Sequence, residues 1–370
     1  MHILDSLNRG GAEMLALDVC RNARRNNLEL TFVATGGGEL EDDFRRSGVD
    51  FVRLRRRAPV DFALAARLRE IMQERAVQVL HTHQAVECLH AYLAALGTKT
   101  ARVMSFHLCA ADAKNRLALR WLAPRMEANI AVSRDLLSCL KKESGFAKRA
   151  WNFHVIYNGV DAGRLQSAGG DLRAELGLGE GELLFGMVGN FYAGARKDQL
   201  TVCRALPVLL RRAPQVHFAF AGARPPTAPR MYDDCVSFCE RAGISRHVHF
   251  LGPRADIPDV LRALDLFVFS SLQEGMPIAV IEAMMLGVPT VVSDIPPLLE
   301  ITGGGAHAAV FRTGDADELT RLLLELVNDP QQRARLGEEA QQWAIDQFSI
   351  DAHIANLKDL YCSVVQSSIH

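Results

Sequence analysis

The chain has 370 residues, of which 49% are hydrophobic and 23% charged, with a net charge of −1; that is more than one core holds, so two domains of about 150–200 residues are expected. No run of about 18 uncharged apolar residues occurs, so a membrane-spanning helix is not expected, and nucleic acid is not an expected partner. The start, MHILDSLNRGGAE, lacks the basic leader, apolar stretch and small-residue cleavage site of a secretory signal, which favours a cytoplasmic location. Eight cysteines without a CxxC pair or compact framework read as buried free thiols. The small net charge hides an asymmetry: residues 1–155 carry 24 Lys+Arg against 17 Asp+Glu, and the remainder 18 against 26. A basic first half suits an acidic acceptor or the anionic face of a membrane, with the basic segment RLRRRAPVDFALAARLREIM (53–72) contributing much of it.

In chain order, short β-rich runs alternate with longer helical patterns, the signature of parallel sheets covered by helices. Strands are predicted at His2–Asp5, Leu30–Ala34, Phe51–Leu54, Val77–His81, Ala101–Phe106, Ala128–Val132 and His154–Tyr157. After YNGVD (157–161) a second series is predicted at Leu183–Val188, His217–Ala221, Val248–Leu251, Leu266–Phe269, Thr290–Ser293 and Ala308–Phe311. The fold class is therefore α/β, with two doubly wound parallel-sheet domains over 1–160 and 161–348, facing a cleft at their strand carboxyl ends. The tail is helical in pattern with a break at Phe348–Ser349.

The most informative stretch is SSLQEGMPIAVIEAMMLGVPTVVSD (270–294). It reads as a buried strand, a turn, a helix with Pro277 at its first position and Gly287 past its end, and a second buried strand. Free backbone N–H groups from Gly275 and Met276 onward, at the helix start that Pro277 marks, form with the helix dipole a site for phosphate oxygens. Glu282, in the second turn, is placed to accept from ribose hydroxyls, and Glu274, before the turn, to hold a sugar hydroxyl beyond the diphosphate.

EGMPIAVIEAMMLGVPTVVSD resembles the E-x7-E signature of the retaining glycosyltransferases of family 4, whose two Rossmann-like domains form the architecture called GT-B. LNRGGAE (7–13), VIYNGVD (155–161), GARKDQL (194–200) and HFLGPRADIPDVLRALDLFVFSS agree in order and spacing, so the resemblance covers essentially the whole chain. It implies that Gly10 and Gly11 contact the donor diphosphate and sugar, and that Lys197 neutralises the leaving group. It also implies that His107 stands near the reacting centre, that Arg254 lies by the base, and that the final helix, 349–370, packs back on the first domain. The family commonly has a basic residue directly after the glycine that ends the run LLFGMVG (183–189), where this chain has Asn190; Arg196, beside Lys197, is the candidate replacement.

His81 and His83 alternate at the end of a predicted strand. As an H-x-H pair they lack an acidic or cysteine partner at ligand spacing, so they read as polar lining of the acceptor cleft, with His83 an acceptor contact. Asp315-x-Asp317 has a spacing that other glycosyltransferases use for a divalent cation, but it precedes an apolar helical run and reads as helix capping. The resemblance implies a metal-independent enzyme with no cofactor. It moves a hexosyl unit from a nucleotide diphosphate sugar, UDP favoured over GDP, to a hydroxyl acceptor on a glycan or lipid-linked molecule. The catalytic group is then Glu274, His107, Lys197 and Arg196. A sugar-nucleotide epimerase or hydrolase on the same plan, and a non-catalytic nucleotide-binding subunit, are the alternatives.

Overall fold

The computed structural model describes residues 1–370 except 110–112, 144–151, 167–168, 193–195, 225–228 and 368–370. The chain divides into two compact units, Met1–Asp161 with Phe348–His370, and Ala162–Gln347.

The first unit is a seven-stranded, wholly parallel sheet of β1 (His2–Leu4), β2 (Thr31–Ala34), β3 (Asp50–Arg53), β4 (Val79–Thr82), β5 (Ala101–Phe106), β6 (Ala128–Ala131) and β7 (Phe153–Val155). Their order is β3-β2-β1-β4-β5-β6-β7. The order reverses between β1 and β4, and the carboxyl ends there are a topological switch point, where open α/β sheets place ligands. Parallel strands are covered on both faces and so read as apolar runs rather than alternations. On one face Met1, Ile3, Val33 and Leu80 meet Leu68, Ile71 and Met72 of the helix Phe62–Glu74. Elsewhere Phe32 stacks on Phe44 at 4.3 Å. The C-terminal helix Ile350–Ser367 belongs to this unit: its Leu357, Leu360, Tyr361 and Val364 pack with Val103, Ala128 and Ile130. Each aliphatic side chain so buried contributes about 1.5–3 kcal/mol. The helix break falls at Ser349, whose backbone bridges to Val160 and whose hydroxyl accepts from Ala352 N.

The second unit is a six-stranded parallel sheet of β8 (Leu183–Val188), β9 (Val216–Ala221), β10 (Val248–Gly252), β11 (Leu266–Phe269), β12 (Thr290–Ser293) and β13 (Ala309–Phe311). Its order is β10-β9-β8-β11-β12-β13, with a switch point between β8 and β11. Aspartates start several helices here: Asp171, Asp198 and Asp315 each accept from a backbone N–H three residues on. Asp315 is therefore the cap expected of it, its Oδ1 accepting from Glu318 N at 2.9 Å.

All thirteen predicted strands are present, four with the predicted bounds and the others with an end shifted by one or two residues. The cysteine expectation needs correction. Cys109 and Cys139 form a disulfide, with Cα atoms 6.1 Å apart across 30 residues of sequence. Neither spacing nor composition marks that pair: Cys109 follows β5 and Cys139 lies in the helix Arg134–Glu143, 30 positions on. Cys20, Cys88, Cys203, Cys235 and Cys239 are free and buried as expected, while Cys362 is free and exposed. Among the described residues, no helix is long and apolar enough to cross a membrane.

Candidate active site

At the switch point of the second unit, β11 leads through Ser270–Pro277 into the helix Ile278–Met285. Proline was expected as the first helical residue; Pro277 is instead the cap, with extended ψ of 117°. An extended cap lets its carbonyl start the helical bonding while its own ring needs no donor, and Val280 N reaches Pro277 O at 3.3 Å. Gly275 and Met276 are buried beside it. The first N–H groups of the helix have no partner within it, which leaves a positive helix terminus. Gly287, at φ +71°, ends the helix in a conformation that a side chain disfavours.

Lys197 and Glu274 are 77 residues apart in sequence, and the fold joins them: Lys197 Nζ donates to Glu274 Oε1 at 2.7 Å, and both side chains are only about a tenth exposed (12% and 11%). An antiparallel bridge between Lys197 and Ser271 sets their backbones side by side. Lys197 Nζ also lies 4.4 Å from the centre of the Phe269 ring, a cation–π contact. Gly189, just past β8, makes room for this lysine: a Cβ there would stand 2.6 Å from Lys197 Cδ. Ser271 Oγ lies 2.7 Å from Glu274 Oε1 and 2.6 Å from the Arg196 carbonyl oxygen, so its one proton serves one of them at a time.

Glu282 is buried, and Arg164 Nη2 donates to its Oε1 at 2.7 Å, with side-chain exposures of 10% and 7%. Arg164 was not singled out by the sequence; it lies 118 positions away, and no local pattern reveals the pairing. Asn190 holds backbone instead of supplying a charge: its Oδ1 accepts from Ala223 N at 2.8 Å, tying the segment after β8 to the segment after β9. The Arg196 guanidinium forms no ion pair among the described residues, and Gly194 and Ala195, just before it, lie outside them. Arg254 is engaged by Asp256 at 2.6 Å and Glu175 at 2.8 Å, and these carboxylates raise its pKa further.

In the first unit, Gly10 caps the helix Gly11–Asn22, which follows β1, and a Cβ at Gly10 would meet Glu13 Oε2 at 2.5 Å. His83 follows β4 and His107 follows β5, and the structure joins them through His83 Nδ1 and His107 Nε2 at 3.1 Å. With His2, His81 and His353 they line one small internal cavity. Burial holds His107 and His353 down to about 4 and drives His2, His81 and His83 well below the usual histidine range. These rings are neutral at physiological pH. Glu87, on the helix Ala85–Ala95 that follows β4, is a further group the sequence did not reveal; burial pushes its carboxyl up to about 7.

Two family models together match most of the chain: Glycosyltransferase Family 4 over residues 9–164 and Glycosyl transferases group 1 over residues 170–343. This protein is a family 4 glycosyltransferase. Its fold is GT-B, and the crystal structure of Anabaena HepE in complex with UDP and glucose superposes with a TM-score of 0.85, at 21% identity over 98% of each chain. The UDP-Gal:alpha-D-GlcNAc-diphosphoundecaprenol alpha-1,3-galactosyltransferase of Escherichia coli is 26% identical over 310 residues, covering 80% of this glycosyltransferase and 78% of that relative. The N-acetyl-alpha-D-glucosaminyl L-malate synthase of Bacillus anthracis is 22% identical over 325 residues, 83% and 80% of the two chains.

Proposed function

We propose that this glycosyltransferase moves a hexosyl unit from a UDP-sugar to a hydroxyl on a lipid-linked or glycan acceptor, with retention at the anomeric carbon. The observation that carries the reading is the buried Lys197–Glu274 pair beside the start of the helix Ile278–Met285. A diphosphate seated on that helix terminus meets backbone N–H groups and the Lys197 ammonium together, which stabilises charge developing on the leaving group without a metal ion. Glu274, held by Lys197 and Ser271, is placed to position the sugar. Glu282, oriented by Arg164 through one oxygen, offers its other to a ribose hydroxyl. The family resemblance assigns Gly10, Gly11 and His107 to the donor, Arg254 to the base and Arg196 to the leaving-group side; His83, buried against His107, is not carried forward as an acceptor contact.

Retention follows from front-face attack, in which the departing phosphate takes the acceptor proton as the glycosidic bond breaks. The choice of UDP is supported by the UDP and glucose in the HepE complex, and the choice of a lipid-linked acceptor by the diphosphoundecaprenol substrate in the name of the Escherichia coli relative. The basic first 155 residues suit docking at an anionic membrane surface from the cytoplasmic side. The test is a panel of UDP- and GDP-hexoses with and without polyprenyl-diphosphate sugar acceptors, with the product's anomeric configuration read by NMR. Acceptor-dependent release of UDP and a product of the donor's configuration support the reading. Release without acceptor, or an inverted product, contradicts it.

A further inference from the structure

The H-x-H pair of the first unit has the third imidazole that its sequence spacing lacks. His2 lies opposite His81 in the β1–β4 ladder, and His81 and His83 alternate onto one face. The three side chains are buried, and one ligand atom from each lies within 4.8 Å of the others. Their ring centroids are 4.5 Å apart for His2–His81, 4.6 Å for His81–His83 and 5.5 Å for His2–His83. Two nitrogens of this cluster, His2 Nδ1 and His83 Nε2, have no hydrogen-bond partner although their side chains are more than nine-tenths buried. An unpartnered buried polar nitrogen is costly, and two on one cluster call for a ligand.

We propose that His2, His81 and His83 form a three-histidine site for a divalent transition metal ion of the zinc type. Neutral imidazoles without carboxylate or thiolate select zinc, copper, nickel or cobalt over magnesium or calcium. The surrounding bonds fit one consistent set of tautomers. With His2 bound through Nδ1 and His83 through Nε2, the opposite nitrogens carry protons. His2 Nε2 then donates to Tyr361 Oη at 2.9 Å, and His83 Nδ1 to His107 Nε2 at 3.1 Å. His81 gives up its 2.7 Å contact with Ser105 Oγ for the ion and donates from Nδ1 to the second lone pair of the same Tyr361 oxygen. Each ligand thus has an outer partner that sets its orientation, as metal-binding histidines generally do. Bonds of about 2.0–2.1 Å require the rings to draw together by roughly 1 Å. The ion clasps β1, β4 and, through Tyr361, the C-terminal helix, a structural role apart from the transfer chemistry proposed above.

The test uses the full chain without a histidine tag, stripped with chelator and titrated with Zn2+ by calorimetry and with Co2+ by visible spectroscopy. The expected result is one ion per chain, the d–d bands of four-coordinate Co2+, and a raised melting temperature with zinc. His83→Gln should abolish the bands, and Tyr361→Phe should weaken binding roughly 10-fold or more. His249→Gln, in the separate cluster of His217, His247 and His249 in the second unit, should leave stoichiometry and spectrum unchanged. A folded wild-type chain that binds no ion at micromolar Zn2+, or bands that survive in His83→Gln, overturns the proposal. If the histidine variants fail to fold, X-ray absorption of the zinc-loaded wild type decides: a first sphere with three imidazoles supports the site, and one without them refutes it.

Discussion

The two units have closely related sheets, with the same reversal of strand order, yet they finish their switch points in opposite ways. In the second unit the carboxyl ends of β8 and β11 are dressed with buried ions, Lys197–Glu274 and Arg164–Glu282. In the first, the space beside β1 and β4 is dressed with five histidines whose charge burial suppresses. A fold sets where a ligand goes; the residues at the strand ends set what kind of ligand it is. Paired ions suit a diphosphate that gains charge as it leaves. Neutral imidazoles suit hydrogen bonding or metal ligation.

The sharpest way to break this contrast is to unbalance a pair. Arg164→Ala leaves Glu282 as a buried, unpaired carboxylate and should cost about 3–5 kcal/mol, read as a fall in denaturation midpoint. Adding Glu282→Gln should recover a substantial part, and no recovery contradicts a charge effect. Lys197→Ala should lower kcat by about 10²–10³-fold, the scale of one lost electrostatic stabiliser. A change within twofold removes Lys197 from the leaving-group role.

The first unit should respond to pH through its buried acid rather than through ion pairs. An unfolded glutamate loses its proton near pH 4.5 and Glu87 near 7, so between these values the unfolded chain binds fewer protons and stability falls as pH rises. Glu87→Gln should therefore stabilise at pH 8, by on the order of 1–3 kcal/mol, and make little difference at pH 4. Equal effects at both pH values would show that Glu87 is not held protonated. The smallest expected change is Asp315→Ala, about 1 kcal/mol from the lost cap, with UDP-sugar turnover unaltered; lost turnover would restore Asp315-x-Asp317 as a cation site.

The strands were legible because a parallel strand covered on both faces announces itself as a short apolar run between turn residues. The strand–turn–helix at 266–285 was legible for a similar reason: Glu274, Gly275, Pro277 and Glu282 all lie within one continuous segment. What stayed hidden depends on contacts between distant segments. Arg164 meets Glu282, Cys109 meets Cys139, and His2 joins His81 and His83 only after the sheets form. Asn190 looked like a missing charge because its backbone partner, Ala223 N, belongs to the end of another strand. The Pro277 error is local, since an N-cap and a first helical residue share a φ near −70° and differ in ψ.

The measurement that bears most directly on the donor site compares wild type with Glu274→Gln, using a UDP-hexose and an acceptor found in the panel, and reading turnover and UDP affinity separately. The account predicts that turnover falls by at least about 10²-fold while UDP affinity stays within a few-fold, because Glu274 positions the sugar and the helix terminus holds the diphosphate. Turnover preserved in Glu274→Gln, or UDP binding lost together with it, would contradict that assignment.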